Sequence, residues 1–187
     1  MASNIKLVIL DRDGVINQDS DEFIKSPDEW IPIEGSLEAI TRLTNSGYHV
    51  VVISNQSGLA RGLFSTDDLN RVHNKMHHAV HQLGGSIDAV FFCPHGPAEG
   101  CLCRKPATGM FEDMAARLNI DLVNVPAIGD SLRDVIAARA VGASPILVRT
   151  GKGEKTVSIG ARELAGVPIF DNLAAAVDDL LARQKDA

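Results

Sequence analysis

Asp11-Arg12-Asp13-Gly14 stands directly after the apolar run Ile5-Lys6-Leu7-Val8-Ile9-Leu10. Carboxylates two positions apart leave an extended strand on one side, and the glycine lets the chain turn away from them. Two acids in one site repel, so they need a shared proton or a divalent cation, and an all-oxygen donor set suits Mg2+. Asp-x-Asp-Gly is also ordinary turn composition, so further segments must carry the weight. Ser54-Asn55-Gln56-Ser57-Gly58, after a second apolar run, offers a hydroxyl and main-chain N–H groups suited to cradling phosphate oxygens. Arg104-Lys105-Pro106 sets two cations before a helix expected to begin near Thr108. Gly129-Asp130-Ser131-Leu132-Arg133-Asp134 adds carboxylates at a strand end and four positions on, along the helix that follows. Taken singly, these are a turn or cap, a solvated basic pair, and an N-cap aspartate with a helix-surface partner.

The chain's cysteines, Cys93, Cys101 and Cys103, fall within eleven residues of one another, an odd number that makes a poor disulfide framework. With His95 they read Cys-x-His-x5-Cys-x-Cys. Three thiolates and one imidazole make a closed tetrahedral Zn2+ site with no position left for catalysis. Free buried cysteines beside a surface histidine are the plainer alternative. Gly96, Pro97 and Gly100 favour a loop folded round an ion, and Arg104 and Lys105 follow the last ligand directly. Structural zinc would then aim both cations.

These residues hang on a recurring pattern. Ile5–Leu10, Tyr48–Ile53, Ala89–Phe92, Val125–Ile128 and Pro145–Val148 are short, apolar throughout and rich in β-branched residues, as parallel strands covered on both faces should be; Val167–Phe170 adds a short edge strand. Amphipathic stretches alternate with them: Ser36–Ser46, Thr66–Leu83 with Thr66 as cap, Thr108–Leu118, Ser131–Val141 and Asn172–Leu181. Strand–helix alternation predicts right-handed crossovers and a three-layer, doubly wound α/β parallel sheet, with ligands beyond the carboxyl ends of the strands at the switch point. The chain of 187 residues suits a single domain spanning residues 1–187, with no large cap domain and a zinc loop at 93–105. Segment 17–33 and the zinc loop are the only candidates to roof the site. A net charge of −6 offers no broad surface to nucleic acid or an anionic membrane, so positive charge for an anionic substrate must be local. The first apolar run is too short to span a membrane and no signal-peptide cleavage pattern follows it, which predicts a cytoplasmic protein.

Together and in this order, the motifs resemble those of the haloacid dehalogenase superfamily: Asp11-x-Asp13-Gly14 its first, Ser54 its second, Lys105 its third, Gly129-Asp130-x-x-x-Asp134 its fourth. The resemblance implies a Mg2+-dependent phosphatase. Asp11 would attack phosphorus to form an aspartyl phosphate, and Asp13 would serve as acid and then base. Asp11, the main-chain carbonyl of Asp13 and Asp130 would hold Mg2+, while Ser54 and Lys105 bind the transferred phosphoryl oxygens. Asp134 would hold Lys105 or a water beside the metal. The zinc loop before Arg-Lys-Pro, with Asp11–Asn17 and Asn55–Gly62, looks like the heptose 1,7-bisphosphate 7-phosphatases, whose step lies on the route to lipopolysaccharide core heptose. That likeness assigns substrate contacts to Asp19, Asp21 and Glu22, to Asn55, Gln56, Ser57 and Arg61, and to Arg104. It implies a monomer acting on a small sugar bisphosphate, with no nucleic-acid or membrane partner. The histidinol-phosphate phosphatases share nearly all of these motifs and are the rival. The segment Asp19-Ser20-Asp21-Glu22 departs from the His-Gly-Tyr pattern of some members, which leaves the anomer open.

Other features have plainer explanations. His73, His77 and His81 share one helix face and read as an exposed polar stripe; Trp30 reads as packing beneath the 17–33 segment. Gly151–Thr156 does not fit phosphate-loop spacing and reads as a flexible basic loop. A receiver-like phosphorylated switch would carry its aspartate at the third strand, where this chain has Cys93-Pro94-His95.

Overall fold

A computed structural model describes residues 5–185. The strands β1 (Leu7–Leu10), β2 (His49–Asn55), β3 (Ala89–Cys93), β4 (Pro126–Gly129), β5 (Ser144–Val148) and β6 (Ile169–Phe170) form one parallel sheet in the order β3-β2-β1-β4-β5-β6. The three-layer α/β expectation holds. Because side chains alternate along a strand, apolar residues at every position serve two cores. Val8, Leu10, Val50 and Val52 pack against α1 (Ser36–Asn45), α2 (Thr66–Gln82) and α6 (Leu173–Lys185) through Ile40, Leu43, Met76, Val80 and Val177. Leu7, Ile9, Val51 and Ile53 pack on the other face against α3 (Gly109–Leu118) and α4 (Leu132–Ala140), through Met114 and Ala138. Each such fully buried aliphatic side chain contributes about 1.5–3 kcal/mol.

The chain runs outward from β1 to β3 on one side and resumes at β4 on the other, so the switch point lies between β1 and β4. Their register pairs Leu10 with Ile128, and the Asp11 N–H donates to the Ile128 carbonyl at 2.9 Å. Asp11 and Asp130 therefore leave adjacent strands side by side.

Two local expectations are corrected. Ser65, not Thr66, caps α2, through a reciprocal pair with Asp68. The segment expected as a loop after β5 contains a helix, α5 (Gly153–Ile159). Thr156 anchors it, its buried hydroxyl donating to the Asp130 carbonyl, and Gly160 ends it in the left-handed region at φ 64°. Trp30 is packing, 1% exposed in the core beneath segment 17–33. No helix among the described residues is long and apolar enough to cross a membrane.

Candidate active site

Asp11, Asp130 and Asp134 bring carboxylate oxygens within 4.8 Å of one another at the strand ends. Two glycines permit this closeness: a Cβ on Gly14 (φ 83°) or on Gly151 (φ 58°) would collide with the Asp130 carboxylate. Asp130 Oδ2 accepts the Lys152 N–H at 2.8 Å, while Oδ1 is buried without a hydrogen-bond partner among the described residues. Burial pushes Asp11 up to about 6, against the pull of Lys105. Burial and the Asp11 carboxylate push Asp130 up to about 8. An unpartnered oxygen among crowded acids fits a divalent cation, which would favour the carboxylate form of Asp11 and Asp130. The Asp13 carboxylate lies outside this group.

Lys105 is buried at the centre. Its ammonium lies 3.1 Å from Asp11 Oδ1 and 2.8 Å from Asp134 Oδ1, and donates to the Ile53 carbonyl at 2.7 Å. Burial alone would lower its proton affinity, yet the two carboxylates hold it above the ordinary lysine range. Asp134, despite burial, is held below the usual carboxylate range by Lys105 and Arg133. It fixes Lys105 with one oxygen and receives the Ser131 N–H and hydroxyl with the other. The Asn55 side chain clamps the Lys105 main chain from both sides, at 3.0 Å each. The Asn55 side chain, expected to contact substrate, is thus engaged by Lys105. Ser54 is buried beside Gln56, whose Nε2 donates to Ser54 Oγ at 2.8 Å and to Asp13 Oδ2 at 2.9 Å. Ser57 is buried nearby.

The remaining expected residues form the rim. Asp19 pairs with Lys152 at 2.8 Å, whereas Asp21 is 94% exposed and Glu22 is exposed. Arg61 stacks over Phe23, 5.4 Å from its ring centre, joining segment 17–33 to the loop after β2. Arg104 donates to the His95 carbonyl at 3.2 Å, and burial with the nearby Arg133 and Arg61 charges lowers its proton affinity. Converging cations of this kind suit an anion.

Arg133, Asn17 and His73 make contacts that the sequence reading did not assign. Arg133 Nε is buried without a hydrogen-bond partner among the described residues, and its charge is held by Asp134, Asp11, Asp130 and Asp19. Asn17 Nδ2 donates to Asp13 Oδ1 at 2.9 Å. His73, expected on an exposed stripe, is only 7% exposed, and its Nε2 lies 3.3 Å from Arg12 Nη1. The guanidinium can only donate, so Nε2 accepts and the ring is neutral. Burial, then the Arg12 charge, lowers His73 to about 4. A histidine kept neutral in the fold loses stability as pH falls, because the unfolded chain takes up the proton first, from about 6.5 downward. Between pH 7.5 and 4.5 the wild type should therefore lose roughly 2–3 kcal/mol relative to His73→Gln. Chemical denaturation across that range checks it; parallel curves would contradict it.

Cys93 ends β3, and its Sγ lies 3.6 Å from Cys101 Sγ, 3.1 Å from Cys103 Sγ and 3.6 Å from His95 Nδ1. His95 Nδ1 lies 3.2 Å from Cys103 Sγ. Sulfurs about 2.3 Å from a tetrahedral zinc stand roughly 3.8 Å apart, close to this spacing. Burial pushes the Cys93 thiol up to about 12. The donor set fits Zn2+, which would ionise it.

Comparison with known proteins agrees with this architecture. A family model described as HAD-hydrolase-like matches residues 102–176, and one described as polynucleotide kinase 3 phosphatase matches residues 6–132. The D-glycero-beta-D-manno-heptose-1,7-bisphosphate 7-phosphatase of Bordetella bronchiseptica is 57% identical over 177 residues, 95% of this chain and 98% of that one. Its namesake from Neisseria meningitidis serogroup A is 52% identical, over 90% of this chain and 91% of the relative. The crystal structure of D,D-heptose 1,7-bisphosphate phosphatase from B. bronchiseptica, complexed with magnesium and phosphate, superposes with a TM-score of 0.93 at 56% identity, covering 96% of this chain and 99% of that one. The fold and ordered strand-end motifs are those of the haloacid dehalogenase-type phosphatases. Within them, the chain belongs to the D-glycero-beta-D-manno-heptose-1,7-bisphosphate 7-phosphatase family.

Proposed function

We propose that the chain hydrolyses the 7-phosphate of D-glycero-β-D-manno-heptose 1,7-bisphosphate through an aspartyl phosphate on Asp11. The convergence of Asp11, Asp130 and Lys105 at the switch point carries this proposal, in a chain 57% identical to a relative of that name. The product would feed nucleotide-activated heptose for the lipopolysaccharide core, and we place the enzyme in the cytoplasm, as a monomer.

Asp11 Oδ attacks phosphorus in line, and the bond from phosphorus to the C7 oxygen breaks. Asp13 gives a proton to that oxygen, then takes one from the water that attacks phosphorus and releases Asp11. Lys105, Ser54 and neighbouring main-chain N–H groups bind the equatorial oxygens, where charge resides in the transition state. Asp11, Asp130 and the Asp13 carbonyl hold Mg2+, which when bound offsets the repulsion between carboxylate and phosphate. Asp134 keeps Lys105 aimed at the reacting centre. Asp19, Asp21 and Glu22 contact sugar hydroxyls, and Arg104, beside Arg61 and Arg133, recognises the substrate's charge. Cys93, His95, Cys101 and Cys103 would hold Zn2+, which would pin the loop that presents Arg104 and Lys105.

Steady-state phosphate release from the β and α heptose bisphosphates and from histidinol phosphate tests the substrate. The β anomer should give the highest kcat/KM, at least roughly a thousandfold above histidinol phosphate. A preference for histidinol phosphate would overturn the proposal.

A further inference from the structure

Arg12, between the two motif aspartates, is 0% exposed. Isolating a guanidinium from water costs several kcal/mol unless its partners answer it, and an aliphatic residue would serve packing better. Its partners are specific. Nε donates to Asp13 Oδ1 and Nη2 to Asp13 Oδ2, each at 3.0 Å, a fork that fixes both the position and the plane of the carboxylate. Nη2 also reaches Gln56 Oε1 at 3.2 Å, and Gln56 Nε2 returns to Asp13 Oδ2, closing a ring. The neutral His73 on α2 holds the third nitrogen, Nη1, at 3.3 Å. Arg12 and Gln56 bury their side chains, whereas the Asp13 side chain is 21% exposed, so the network opens toward substrate through Asp13.

We propose that Arg12, backed by His73 and Gln56, is a positioning residue that sets where the Asp13 carboxylate stands for proton transfer to and from the reacting oxygens. It rests on the role given to Asp13 above. Positioning matters here because general acid–base catalysis is worth about 10²–10⁴ in rate and depends on hydrogen-bond reach.

The test uses the Mg2+-loaded full chain with Arg12→Met, His73→Leu, His73→Gln and Asp13→Asn, folding being checked by melting temperature. On the heptose bisphosphate, Arg12→Met should lower kcat by about a hundredfold or more, with KM within about threefold. His73→Leu should lose about tenfold, and His73→Gln, which keeps an acceptor for Nη1, should recover most of it. p-Nitrophenyl phosphate separates positioning from general damage, because its phenolate leaves without needing a proton. The first turnover of Arg12→Met on that ester should stay within a few-fold of wild type, giving a stoichiometric burst before slow hydrolysis of the aspartyl phosphate. If Arg12→Met does not fold, the His73 pair decides by the same burst. Folded variants with wild-type kcat on the bisphosphate, or with both esters slowed equally in the first turnover, would overturn the proposal. An inactive Asp13→Asn beside unaffected Arg12 and His73 variants defeats this inference alone, whereas an active Asp13→Asn defeats the role of Asp13 beneath it.

Discussion

Replacing Asp11 with asparagine is expected to lower phosphate release by at least about four orders of magnitude while leaving the protein folded. The amide keeps the shape but lacks the charge and nucleophilicity needed at phosphorus. It also removes one carboxylate from a crowded group. Because burial pushes Asp11 up to about 6, the metal-free native protein at pH 7 holds an ionised acid at a cost in stability. Lys105 loses one partner but keeps Asp134 at 2.8 Å. The metal-free variant should therefore melt about 2–5 °C higher than wild type, and Mg2+ should raise its melting temperature less. Thermal melts with and without Mg2+, alongside the assay, check both halves. Residual activity above about one per cent would remove Asp11 from the nucleophile's role.

Extracting zinc is expected to lower kcat/KM by about 10²–10³-fold and the melting temperature by more than about 10 °C, with both restored by added Zn2+. The geometry explains why a structural ion would matter to chemistry. Cys93 is anchored in the sheet, but Leu102, the large aliphatic side chain of the loop, is 82% exposed, so apolar packing of that side chain does not replace the ion. Lys105 follows Cys103 by two residues and must hold its ammonium 3.1 Å from Asp11. A misplacement of about 1 Å there costs on the order of a hundredfold in rate. Cys103→Ser should reproduce the chelator's effect without touching an Mg2+ ligand. Purified, reduced protein without zinc by elemental analysis would contradict the assignment.

The strands and their terminal motifs were legible because each is local. A doubly apolar run specifies a strand covered on both faces, and the polar residue that ends it must emerge at the carboxyl edge of the sheet. The cysteine cluster was legible because its ligands lie within eleven residues. What escaped depends on contacts between distant positions. His73 and Arg12 are 61 residues apart, and spacing of i, i+4 and i+8 looks the same for a solvated stripe as for a helix with one histidine turned inward. The Gln56 and Asn55 side chains sit in the segment expected to cradle phosphate but face Asp13 and the Lys105 main chain, a direction set by tertiary packing. Helix α5 was hidden behind Gly151 and Gly153. Those glycines answer a close approach: a Cβ on Gly151 would meet Gly14 and Asp130, and one on Gly153 the Val148 carbonyl.

Phosphorus NMR of the products formed with Mg2+ is the most direct measurement. From the β-configured heptose 1,7-bisphosphate, one equivalent of inorganic phosphate should appear while the 7-phosphate resonance vanishes and the 1-phosphate resonance persists. Loss of the 1-phosphate, or an unchanged bisphosphate beside rapid turnover of histidinol phosphate, would contradict the assignment.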